Sequence, residues 1–111
     1  MTKDAIDRTI DAFVEKYGIE KNLIVLVEEL AELQQAVCKY LRHSENAVIR
    51  KNKQELIDDI RVEVADVLYC MHYLCSVTDN SWGDYMEMTA DKAIENQGRF
   101  DRNGQNTANP D

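Results

Sequence analysis

Proline is almost missing from this chain: the single one in 111 residues is Pro110, and glycine contributes four. Collagen-like, linker-rich and many-turned all-β chains need far more of both, so those classes are excluded. No apolar run approaches the roughly 18 residues of a membrane span. The opening Met1-Thr2-Lys3-Asp4 shows no apolar signal-peptide core, so no membrane partner and a cytoplasmic location are expected. Cations are scarce, with 13 Lys and Arg against 21 Asp and Glu and a formal net charge of −8. Such a chain repels nucleic-acid backbones, and no nucleic-acid strand is expected as a partner. A divalent cation can still bridge it to a small polyanion. The three cysteines, Cys38, Cys70 and Cys75, fit no metal-site spacing, and their odd number suits a reducing compartment.

What remains is helix. No period-2 alternation lasts and no hairpin signal joins two β-rich runs, so the expected class is all-α, with four to five helices in one domain. The first helix runs from about Lys3 to Tyr17 and stops at Gly18. The second spans about Lys21 to Leu41, with Leu23, Leu26, Leu30, Leu33, Val37 and Leu41 at helical spacing. The third spans about Lys53 to Val77, with Leu56, Ile60, Val64, Val67, Met71 and Leu74 on one side. The fourth starts near Ser81, where Ser81-x-x-Asp84 resembles a capping box, and ends near Gly98 to Phe100. A short extra helix is expected over 47–54. Residues 1–101 form the domain, and 102–111 read as a flexible polar tail.

Two carboxylate pairs carry the chemistry. Glu29 and Glu32 share one face of the second helix, and Glu63 and Asp66 share one face of the third. Both pairs lie at the edge of an apolar stripe. If the stripes pack together, four carboxylates converge at the seam, where partial desolvation makes them repel. A hard divalent cation such as Mg²⁺, which takes oxygen ligands, resolves that conflict. One such pair is ordinary on an acidic helix; two, on the two most apolar helices, point to a metal site. Asp59 and Glu55 continue the third-helix face and read as solvated charge. Glu28 points about 100° away from Glu29. Cations cluster on the last helix, where Lys92, Asn96 and Arg99 occupy one face with Tyr85. Lys, Arg and Asn together suit phosphate oxygens, although a salt-bridged surface face has the same pattern. Lys39 stands on the side of Glu32, either facing a phosphate or offsetting the Glu-rich turn.

The ordered set Glu28-Glu29-Leu30-Ala31-Glu32, Glu63-Val64-Ala65-Asp66 and Lys92 to Arg99 resembles the motifs of the MazG-like, all-α NTP pyrophosphatase superfamily. The likeness covers about residues 15 to 100. It departs from many members in the thirty-residue gap between Glu32 and Glu63. The resemblance implies a helical bundle completed by a second subunit, as a homodimer or homotetramer. It implies Mg²⁺, with Mn²⁺ as a substitute, held by Glu29, Glu32, Glu63 and Asp66. The implied reaction cleaves a nucleoside triphosphate to the monophosphate and pyrophosphate, in the service of nucleotide-pool control or house-cleaning. Lys92, Asn96 and Arg99 would then hold phosphate oxygens, Glu32 or Glu29 would act on the attacking water, and Asn22 would line the nucleotide site. Phe100, just after Arg99, is a candidate for stacking on the base.

Two other classes compete. A di-iron carboxylate bundle needs Glu-x-x-His pairs, which the sequence lacks. A non-catalytic acidic helical dimerisation module would use the same apolar stripes and leave its carboxylates as plain surface. His43 and His72 have no evident catalytic partners, and His72 reads as a surface or interface residue. The three thiols read as core or interface. Trp82 and Tyr85, like Phe100, are candidates for stacking on a base, with core packing the expected fate of Trp82.

Overall fold

A computed structural model of the chain describes residues 3–43 and 51–106. Among them every regular element is helical: α1 (Lys3–Tyr17), α2 (Ile19–Leu41), α3 (Lys53–Met71), α4 (Tyr73–Thr78) and α5 (Trp82–Asn106). None is long and apolar enough to cross a membrane. The chain divides into two compact units, Met1–Thr78 and Asp79–Asp111.

The first unit is built on faces that the four-residue spacing creates. Ile6, Ile10 and Val14 fall on one side of α1, and Ile19, Leu23 and Leu26 on one side of α2. Ile10, Leu26, Cys70 and Tyr73 form the buried centre, with Ile6, Val14, Ile19, Leu23, Tyr69, Met71 and Leu74 packed around it. Tyr69 and Tyr73 meet edge to face at 6.1 Å. Burial pushes the Tyr73 phenol well above its ordinary pKa. Leu56 and Val67 bury the inner side of α3. Toward the end of α2 some of the stripe is exposed among the described residues: Leu30 is 45% exposed and Leu41 67%.

Gly18 makes the corner between α1 and α2. Its φ of +84° with ψ of 155° is a backbone region open essentially to glycine, and its N–H donates to the Val14 carbonyl at 2.8 Å. Asn22, buried in the next turn, clamps this corner. Its side-chain amide donates to the carbonyls of Gly18 (2.8 Å) and Phe13 (3.2 Å). Both amide hydrogens are thus committed to the backbone.

Several boundaries differ from the sequence expectation. The helix expected from 53 to 77 breaks at His72, where His72 N–H reaches the Tyr69 carbonyl and Cys75 N–H reaches the His72 carbonyl, each at 3.1 Å. These i to i−3 bonds tighten the backbone for one turn, a change that leaves the apolar pattern intact. His72 itself is half-buried rather than on the surface. The short helix expected over 47–54 falls partly outside the described residues; Lys51 and Asn52 are non-helical. Asn52 instead caps α3: its Oδ1 accepts from Glu55 N–H at 2.8 Å, and its own N–H donates to Glu55 Oε1 at 3.2 Å.

In the second unit the expected Ser81/Asp84 capping box is present. Ser81 N–H donates to Asp84 Oδ2 at 2.8 Å, and Asp84 N–H donates to Ser81 Oγ at 3.0 Å. The helix continues through Asn106 rather than ending near Gly98 to Phe100. No proline intervenes, and pairs such as Gln97 to Asp101, 2.9 Å apart, support the later turns. The rest of the expected tail, 107–111, lies outside the described residues.

If Asn22 is a clamp, Asn22→Ala should destabilise the protein by about 1–3 kcal/mol, measured by urea denaturation. An unchanged midpoint would remove it from the corner.

Candidate metal centre

α2 and α3 run antiparallel, as their shared cavities show. Asn22 and Val25, early in α2, line one cavity with Tyr69 and Cys70, late in α3. Glu32, Ala36 and Lys39, later in α2, line another with Asp59 and Glu63, earlier in α3. The middle of each helix therefore meets the middle of the other, where the carboxylate pairs lie.

The structure brings three of the four expected carboxylates together. One oxygen each from Glu29, Glu32 and Glu63 lies within 4.8 Å of the other two. Glu29 and Glu63 are half-buried and Glu32 is exposed. The Oε2 atoms of Glu29 and Glu63 are fully buried, and no hydrogen-bond donor among the described residues reaches them. Ionised carboxylates only accept, so neighbouring glutamates cannot satisfy one another without a proton or a cation between them. Burial pushes the Glu29 carboxyl above its ordinary pKa, and the charges of Glu32, Asp66 and Glu63 push it further. Burial likewise raises Glu63, followed by the charges of Glu32 and Asp66. Asp66 stands outside the trio, exposed, and acts on Glu29 and Glu63 through its charge.

This is an all-oxygen site with buried, donor-free lone pairs, and the donor set fits a hard divalent cation such as Mg²⁺ or Mn²⁺. The Cys70 thiol is buried, and its pKa is raised by that burial and then by Glu29 and Asp66. It stays a neutral thiol, a poor ligand for such an ion. Cys38 is exposed, so it is not a core residue of the chain.

On one side of the carboxylates, a cavity of about 410 Å³ is walled by Phe13, Tyr17, Tyr69 and Tyr73, with Asn22 and Cys70 at its edge. On the other, a cavity of about 460 Å³ joins Glu32 and Glu63 to Lys39, Lys51 and Asp59. Lys51 Nζ donates to Asp59 Oδ2 at 2.8 Å, which raises the lysine pKa. Glu55 and Asp59 are thus not simply solvated: one caps α3 and the other holds Lys51.

The other expected residues are placed as follows. Lys39 lines the second cavity. Asn22 reaches the first, with its amide hydrogens committed to the corner. Lys92, Asn96 and Arg99 belong to the second unit, gathered around a residue the sequence reasoning passed over, Glu95. Arg99 Nη2 lies 2.7 Å from Glu95 Oε1, Lys92 Nζ 3.4 Å from Glu95 Oε2, and Arg99 Nη1 3.4 Å from Asn96 Oδ1. Phe100 is 68% exposed. Lys51 was also missed. Reading Asn52-x-x-Glu55 as a helix start would have placed Lys51 beside the first turn of α3.

Comparison with protein-family models, with curated proteins and with solved structures finds no match to this chain.

The raised pKa of Glu29 sets a sign. A carboxyl whose folded pKa exceeds the unfolded one stabilises fully below the unfolded value, and that contribution is lost as pH rises through the folded value. In chelator at low salt, Glu29→Gln should therefore raise the thermal midpoint at neutral pH. The gain should vanish below the usual carboxylate pKa, where both side chains are uncharged. A variant less stable than wild type at neutral pH would contradict the repulsion.

Proposed function

We propose that the protein is a metal-dependent phosphohydrolase of nucleotides. More specifically, it is a nucleoside triphosphate pyrophosphohydrolase of MazG-like type that works with Mg²⁺, or with Mn²⁺ in its place. The observation that carries this is the meeting of Glu29, Glu32 and Glu63 within 4.8 Å, with buried oxygens of Glu29 and Glu63 lacking any donor. An interaction module gains nothing from such a cluster; a cation site requires one.

Glu29, Glu32 and Glu63 would hold the ion, with Asp66 adding negative potential or a further oxygen. A divalent ion held there would supply charge compensation to the phosphates and a lowered pKa to a bound water. Glu32 or Glu29 would orient that water and take its proton. The water oxygen bonds to the α-phosphorus. The bond from that phosphorus to the bridging oxygen breaks, and pyrophosphate leaves with the electron pair. Lys39, at the lysine end of the second cavity, stabilises the departing charge. Lys92, Asn96 and Arg99 are further candidates for phosphate oxygens, in exchange for Glu95. The aromatic walls of Phe13, Tyr17, Tyr69 and Tyr73 suit a base, whichever one is preferred, and Phe100 is a second stacking candidate. No covalent intermediate is required.

A panel of common deoxynucleoside and ribonucleoside triphosphates, assayed for pyrophosphate with Mg²⁺, tests the proposal directly. Glu32→Gln or Glu63→Gln should lower the rate by about 100-fold or more while helix content stays unchanged. Wild-type turnover in both variants would sink the metal assignment.

The exposed apolar residues favour a second copy as partner. Ile24, Val27 and Leu41 on α2 and Val62 and Leu68 on α3 are between 46% and 67% exposed, more than an isolated small chain ordinarily leaves uncovered. Light scattering should give at least twice the 12.8 kDa chain mass; a monomer mass would refute it. The same faces also suit a non-catalytic dimerisation module. That alternative predicts no thermal shift with Mg²⁺ and a non-hydrolysable triphosphate.

A further inference from the structure

The cavity between α2 and α3 contains two ammonium groups, only one of which the sequence singled out. Lys39 comes from α2. Lys51 comes from the approach to α3 and is tied to Asp59, its Nζ 2.8 Å from Oδ2. Asp59 stands one turn before Glu63 on α3, so a long, flexible side chain is fixed to the wall that also bears a carboxylate of the metal trio. The pair is half exposed, at 52% and 39%, and such pairs add little to stability. Lysine has three donor hydrogens. Asp59 accepts one, and among the described residues Lys51 has no other hydrogen-bond acceptor, which leaves donors for ligand oxygens.

The cavity has a matching polarity. Along α2 Lys39 follows Glu32 by two turns, and along α3 Asp59, which holds Lys51, precedes Glu63 by one. The lysines therefore lie displaced in the same direction from the carboxylates. The cavity volume of about 460 Å³ lies within the usual range for small-molecule sites. That arrangement fits a ligand whose one end is metal-bound and whose other end presents bare phosphate oxygens. Among the described residues Lys39 forms no ion pair, whereas Lys92 and Arg99 each have Glu95.

We infer that Lys51, positioned by Asp59, is a substrate-binding residue that joins Lys39 in gripping the terminal phosphates, so that the site selects triphosphates over monophosphates. This rests on the pyrophosphohydrolase proposal and adds to it a determinant of phosphate-chain length. The monophosphate product lacks the groups that reach the two lysines, so it is held less tightly and dissociates.

The test compares wild type, Lys51→Met, Lys51→Arg and Asp59→Asn in Mg²⁺. The readouts are kcat and KM for triphosphate, pyrophosphate affinity by calorimetry, and inhibition by the nucleoside monophosphate. Losing one charge-assisted contact made in ground and transition states alike should raise the KM of Lys51→Met about ten-fold or more, with little change in kcat. Pyrophosphate affinity should fall by a similar factor, and monophosphate inhibition should stay as in wild type. Lys51→Arg should recover most of the loss, and Asp59→Asn should show a smaller shift in the same direction. If wild type hydrolyses triphosphates but Lys51→Met keeps both its KM and its pyrophosphate affinity, this inference fails and the pyrophosphohydrolase proposal stands. If wild type neither hydrolyses any triphosphate nor binds pyrophosphate with Mg²⁺, both fall.

Discussion

Mutual repulsion among Glu29, Glu32 and Glu63 is the constraint on which the functional account depends. Two of these carboxylates, Glu29 and Glu63, have an oxygen buried without a donor among the described residues, and both are driven toward protonation by burial and by the charges of Glu32 and Asp66. Charge in a partly desolvated seam is costly unless paired. The hydrophobic contacts of α2 and α3 hold the seam closed regardless, through residues such as Leu26, Leu56 and Val67. The fold therefore keeps together what electrostatics would separate. A divalent cation reverses the sign of that term, and burial then increases its worth because the attraction acts in a lower dielectric.

The positions of the carboxylates were legible in the sequence because helical periodicity is rigid. The i, i+3 spacing fixes Glu29 with Glu32, and the apolar stripe fixes which side meets the neighbouring helix. Which members come closest was not legible. Asp66 shares a face with Glu63, but its side chain is exposed, so it stands outside the 4.8 Å trio while its charge still acts on Glu29 and Glu63. The break at His72 was hidden because two short backbone bonds replace longer ones without altering the side-chain pattern. The corner role of Asn22 was hidden for a different reason: its partners are backbone carbonyls, which every sequence supplies and no motif marks.

Local capping chemistry was read in one case and missed in the other. Ser81-x-x-Asp84 was recognised because it follows a polar turn with a glycine nearby. Asn52-x-x-Glu55 was overlooked because Glu55 had already been placed on an acidic face. The consequence reaches the site. A capping box fixes the first residue of a helix and the direction from which the chain enters it. Here it sets α3 to begin at Lys53, leaving Lys51 just outside, where its side chain reaches the Asp59 carboxylate along the first turns.

Two cavities follow one another along α2: an aromatic one at its start and, past the carboxylates, one lined by Glu32, Glu63, Lys39, Lys51 and Asp59. On the proposed function, such an order would set the direction in which a nucleotide lies. A free triphosphate is repelled by the carboxylates and by a chain of net charge −8, and two lysines do not outweigh that field. With a divalent cation bound, much of the triphosphate charge is offset, the middle of the groove becomes its anchor, and the lysines meet the oxygens still unpaired. The base of the proposed substrate would then face the aromatic cavity. Substrate and cation are therefore coupled in binding: each removes a repulsion that the other would face, so each is expected to tighten the other's hold by the same factor.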